Sequence, residues 1–208
     1  MTIGKGAPWG SPATAPPDAV ADDDAELAAL ANAAAGAATP GQGVPRLGVR
    51  RGDVLRTLGL AGADAEPAPA REQPLDHPFD LGLAELDDGR TVPFVAHLVA
   101  RRRGWAGEFA VACNVGWVGP WYVGPRAHPN DGLLDVVHGS LPWRQRLEAR
   151  RRVVTGTHLP HPGLRSVRVP SWEHRFDRPV TIRADGVVVG ATHHLAVTIR
   201  PDDLVVVA

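Results

Sequence analysis

The chain has 208 residues, 44% of them hydrophobic, which suits one domain with a real core and excludes a wholly unfolded polymer. Its 22 basic and 23 acidic residues leave a formal charge of −1, so no global field recruits nucleic acid or an anionic membrane. A single cysteine, Cys113, excludes an internal disulfide and a cysteine-based zinc site, and no apolar run reaches the roughly 18 residues of a membrane span.

Met1 to Gly6 lacks the apolar stretch of a secretory leader, so the expected location is the cytoplasm. Lys5 is the only lysine, and the bias toward Arg, Ala, Gly and Pro reads as GC-rich coding. Residues 1–43 form a Gly-, Pro- and Ala-rich segment. Within it Asp22 to Ala38 predicts an Ala-rich helix, capped by Asp22, Asp23 and Asp24. Its few large apolar residues, Leu27 and Leu30, predict only weak docking. Residues 44–74 read as a short strand, a Gly-Asp turn, one helical turn and a linker over Ala61 to Gln73.

From Leu75 the pattern turns to β, with short strand-like runs over Phe79–Leu86, Thr91–Ala100, Phe109–Val115 and Leu133–Val137. A helix over Arg144–Val153 follows. Further runs lie at Leu164–Val169, Arg175–Ala184, Val187–Val189, His194–Arg200 and Leu204–Val207. Short strands between turn signals predict a mainly β sandwich over 75–208, with minor helices and a partly irregular N-terminal region.

Five ordered motifs carry a resemblance. They are Asp80-Leu81-Gly82, Cys113-Asn114-Val115-Gly116, Ala127 through Asn130-Asp131-Gly132 to Leu134-Asp135-Val136, Gly156-Thr157-His158, and Ala184-Asp185-Gly186. The closing run Ile199–Val206 completes the order. The set resembles the C-terminal domain of the diacylglycerol kinase and bacterial YegS-like lipid kinase family. That resemblance implies an NAD kinase/diacylglycerol kinase-like C-terminal β-sandwich. It also implies a structural Mg2+ on the turn aspartate, which maps to Asp131 with the backbone carbonyls of His128 and Leu133. The competing reading of Asp131 is a residue that closes its own turn. The family's D-G-E turn carries a glutamate that acts on the substrate hydroxyl. Val187 stands at that position here and cannot move a proton, which leaves Asp185 as the candidate base or as a plain turn residue.

The family also binds ATP through a G-G-D-G-T phosphate loop in a separate N-terminal domain. The nearest match is Arg51-Gly52-Asp53 through Arg56-Thr57, which lacks the flanking glycines. Gly52, Asp53, Arg56 and Thr57 are therefore candidate phosphate-binding residues in a reduced site where ATP itself is doubtful. Trp117, Trp121 and Tyr122 line a lipid groove or cap the core. Arg144, Arg146, Arg150, Arg151 and Arg152 make a basic helix that touches head groups at a membrane surface or is a solvated face. His158 and His161 with His193 and His194 make a metal site only if their loops meet. The expected function is a lipid-kinase-like domain that binds a lipid or phosphorylated small molecule without autonomous kinase activity. The alternatives are a divergent minimal lipid kinase and a dimeric interaction module paired through a strand edge.

Overall fold

The described residues of the computed structural model, 9–37, 43–60 and 73–208, are mainly β. They begin with Ser11–Pro12 (β1), Ala19–Ala21 (β2), Asp24–Ala37 (α1), Arg46–Val49 (β3) and Asp53–Thr57 (α2). Then follow Leu75–Leu86 (β4), Thr91–Phe94 (β5), His97–Arg101 (β6), Glu108–Cys113 (β7), Trp117–Val118 (β8) and Trp121–Tyr122 (β9). Leu134–Ser140 (β10), Trp143–Arg152 (α3), Leu164–Val169 (β11), Ser171–Ala184 (β12) and Val187–Val207 (β13) complete the order. One sheet runs β1-β4-β13-β12-β6-β7-β10-β11, and β8 and β9 form a separate hairpin.

The long sheet folds on itself around one apolar interior. Ala110 and Ala112 of β7 and Leu134 and Val136 of β10 meet Ile182, Leu195 and Val197 of β12 and β13 there. Alternation sends the intervening residues of β7 to the opposite face. Phe109, Val111 and Cys113 join Val99 and Val137 in a second cluster. Both faces of β7 are therefore apolar, which explains why Phe109–Cys113 reads as an unbroken hydrophobic run.

Three expectations change. The run Thr91–Ala100 is two strands, because Val95, Ala96 and His97 turn their amides onto the Asp185 carboxylate at 2.8, 2.9 and 2.9 Å. The three runs after Val187 are one strand, β13, interrupted by a register shift between Arg200 and Leu204. The N-terminal helix is firmly docked: Leu27, Ala28 and Ala31 are buried against Phe79, Leu81, Leu204 and Val206. Small alanines let α1 approach the sheet closely, and close approach offsets the scarcity of large side chains. The expected linker over Ala61 to Gln73 lies almost wholly outside the described residues.

Residues 19–57 also join the sheet. β2 pairs with β3 in parallel, and β3 pairs with β13 in parallel. The segment is thus two successive β-α units laid beside the sandwich. Across the molecule, Asp80 acts as a fastener. It is fully buried, and its carboxylate accepts the amides of Gly132 at 2.7 Å and Asp202 at 2.9 Å. Asn114 donates to the carbonyls of Asp80 and Val95 at 2.9 and 2.8 Å. Asp80→Ala leaves two backbone donors without their acceptor and is expected to cost about 3 kcal/mol, measured by urea denaturation. A loss below about 0.5 kcal/mol, the level of an ordinary surface change, contradicts this role.

Candidate functional site

Open α/β sheets gather ligands beyond the carboxyl ends of their parallel strands. Here β2 leads into Asp22-Asp23-Asp24 at the start of α1, and the neighbouring β3 leads into Gly52-Asp53 at the start of α2. Asp24 is 5% exposed, and its Oδ2 accepts the amides of Asp53 at 2.6 Å and Val54 at 3.4 Å. Gly52, at φ 133°, permits this: a Cβ there would lie 2.1 Å from Asp24 Oδ1. Asp23 Oδ1 accepts the Glu26 amide and so caps the start of α1, while Glu26 Oε2 accepts the amide of the preceding Asp22.

Asp24, Asp53, Asp185 and His97 meet at the floor of a cleft of about 530 Å³. His97 Nδ1 lies 3.4 Å from Asp53 Oδ2. Burial raises the Asp24 carboxyl well above its ordinary range, and the neighbouring charges of Asp185 and Asp53 push the same way. Burial raises Asp185 to about 7 against its three amide bonds. Burial also lowers the pKa of His97, with Asp53 opposing. The floor thus crowds acid groups into a poorly solvated space that disfavours their ionised forms at Asp24 and Asp185.

The rim has the opposite character. Arg51, Arg56, Arg101 and Arg183 line it. Arg101 and Arg183 project from neighbouring strands, and burial together with the Arg183 charge lowers the Arg101 pKa. Two like charges on neighbouring strands are an arrangement that an anion relieves.

A second cavity of about 430 Å³ lies between the outer face of β7 and β10 and helix α3. Phe109, Val111, Val137, Leu141 and Leu164 form its walls, and Leu147 and Ala149 its helix side. Arg101, Trp105 and Trp121 line both spaces. His158 is 5% exposed on the apolar wall. Neither ring nitrogen makes a hydrogen bond of ordinary geometry, and burial lowers its pKa against the nearby Val123 carbonyl.

The candidates named from sequence are distributed unevenly. Gly52, Asp53 and Arg56 reach the cleft. Thr57 turns back to donate to the Asp53 carbonyl at 2.8 Å. Arg56 lies 3.4 Å from the centre of the Trp117 ring and donates to the Gly119 carbonyl, while Gly119 donates to Asp53 at 2.8 Å. Helix α2 thereby grips the β8–β9 hairpin. Trp121 lines both cavities, whereas the Trp117 and Tyr122 rings pack on each other in a tilted pair, 4.6 Å between centroids, on that hairpin. His158 sits in the apolar cavity while His194 pairs with Glu173 at 2.7 Å. Among the described residues, no three His, Cys, Asp or Glu side chains group to hold a metal.

Asp131 has both oxygens occupied. Oδ1 accepts the Leu133 amide at 3.0 Å, and Oδ2 pairs with Arg168. A guanidinium on the carboxylate competes directly with a cation, so this arrangement does not fit a magnesium ion. The β3–α2 turn does not fit a nucleotide phosphate either. The Asp53 and Val54 amides that would meet an anion are already bonded to Asp24. Asp24, His97, Arg101 and Arg183 were not singled out in the sequence. Asp24 hides within an aspartate triplet, His97 within an apolar run, and Arg101 within what reads as a strand stop.

Residues 62–208 match the family model for the YegS C-terminal NAD kinase β-sandwich-like domain. The fold is similar to solved structures named as diacylglycerol kinases from Bacillus anthracis. One shares 12% identity at a TM-score of 0.59, covering 91% of this chain and 77% of that one. A second shares 13% at 0.54, covering 78% and 69%, and a third 14% at 0.51, covering 78% and 66%. No curated protein sequence matches the chain.

The Asp185 carboxyl yields a pH test. Its folded pKa of about 7 exceeds the unfolded value of about 4, so the folded chain holds an extra proton between them. Stability from this group is complete below that window and lost as pH rises through it. Asp185→Asn is therefore expected to remove part of the fall in Tm between pH 4 and 7, read from thermal melts of both proteins. An unchanged slope in the variant contradicts the shift.

Proposed function

The chain belongs to the family of the YegS C-terminal NAD kinase β-sandwich-like domain, a lipid-kinase-like domain, and from that premise we propose that it binds a phosphorylated lipid without itself transferring phosphate. The reading rests on one observation: an apolar cavity opens beside an arginine-rimmed cleft, and the two share Arg101, Trp105 and Trp121. A ligand with a charged head and an acyl chain matches that division. The phosphate sits among Arg51, Arg101 and Arg183, and head-group hydroxyls meet the acidic floor. The chain extends along Phe109, Val111 and Val137 beneath α3.

Three features support binding without transfer. Val187 stands where the family carries a glutamate. Asp185 spends both carboxylate oxygens on the backbone of Val95, Ala96 and His97. The β3–α2 turn has its amides closed by Asp24.

Calorimetry with a short-chain phosphatidic acid, kept below its micelle concentration, tests the reading. The wild-type chain is expected to bind it. Arg101→Gln is expected to weaken binding about tenfold through loss of a charge-assisted contact. Ala149→Trp, which fills the cavity from its helix side, is expected to abolish binding. Unchanged binding in Ala149→Trp contradicts the cavity reading. Micromolar binding of ATP with magnesium would instead favour a minimal kinase.

A further inference from the structure

Helix α3 has no buried residue. On a helix that only covers a cavity, the large apolar side chains turn inward. Here Trp143 is 59% exposed and Leu147 53%, and Val154, in the turn that follows, is 50% exposed. At 100° per residue Trp143 and Leu147 fall within about 40° of one another, and exposed Val154 in the following turn extends them into one outward apolar stripe. Arg144 and Arg151 flank it on one side, and Arg146 and Arg150 on the other. Trp143–Arg152 carries five arginines against Glu148, in a chain whose total charge is −1. Glu148 is paired with Arg152, and Arg146 donates to the Gly104 carbonyl at 2.7 Å. No acidic side chain pairs with Arg144, Arg150 or Arg151 among the described residues.

An exposed Trp–Leu–Val stripe between arginines suits an anionic interface, where apolar groups enter the acyl boundary and guanidiniums meet phosphates. The same helix closes one side of the apolar cavity through Ala149, with half-exposed Leu147 at its lip, so the outward stripe borders the cavity mouth. We propose that α3 docks the protein on an anionic phospholipid bilayer and sets the mouth of the cavity against the membrane. This deepens the phosphorylated-lipid reading, on which it rests only for where the extracted lipid goes.

Vesicle co-sedimentation separates the two. Vesicles of phosphatidylcholine with phosphatidylglycerol are expected to carry the wild-type chain down, and pure phosphatidylcholine vesicles are not. Trp143→Ser with Leu147→Ser is expected to weaken binding about tenfold or more. Arg144, Arg150 and Arg151 changed together to Gln are expected to weaken it about a hundredfold, as is raised salt in the same direction. All five positions are exposed, so folding is preserved, and a far-ultraviolet spectrum with an unchanged melt confirms it. Ala149→Trp is expected to keep vesicle binding while losing the soluble lipid, so failure of the cavity reading leaves this result intact. No binding to phosphatidylglycerol vesicles, or binding indifferent to both sets of changes, overturns the inference.

Discussion

Carboxylates bonded to backbone amides, Asp24 and Asp80 buried and Asp185 half-buried, hold this molecule in its working shape. Asp185 gathers three consecutive amides at the corner between β5 and β6. Asp24 joins the start of α2 to the start of α1. Asp80 ties the Asn130-Asp131-Gly132 turn to the bend at Asp202. Each of these bonds links segments far apart in sequence. Ionised or neutral, a buried carboxyl is costly unless its oxygens are used, and here the backbone uses them. Two of the three fasteners, Asp24 and Asp185, also form the floor of the cleft. Architecture and site therefore depend on the same side chains.

The second constraint is the double-sided β7. Its alanines serve the sandwich interior, and its larger residues, Phe109 and Val111, face outward. An outward apolar face needs a cover, and α3 is a poor one because it buries none of its own residues. The space left between them is the apolar cavity. On the proposed reading, a lipid chain is what would cover the outer face of β7, which water does not satisfy.

Much of the architecture was legible in the sequence. Alternation and turn residues marked most strands, and the ordered motifs at Asp80, Asn114, Asp131 and Asp185 located the family's sandwich. The strand break at Val95 was not legible, because its cause is a carboxylate 90 residues later in the chain. The firm docking of α1 was hidden because alanine signals little by size yet permits close approach. The site was less legible still. Its arginines come from β6, β12 and the β3–α2 region, and their meeting is a property of topology, not of spacing. Asp131, the most prominent motif residue, is occupied by Arg168, and Asp24, in a bland acidic triplet, lies at the centre of the cleft.

The central claim is that one amphiphile spans both spaces. A crystal structure with short-chain phosphatidic acid tests it most directly. The account predicts phosphate density within hydrogen-bond reach of Arg101 and Arg183, with acyl density running between Val111 and Leu147. Density confined to one space, or a ligand bound elsewhere on the surface, contradicts it.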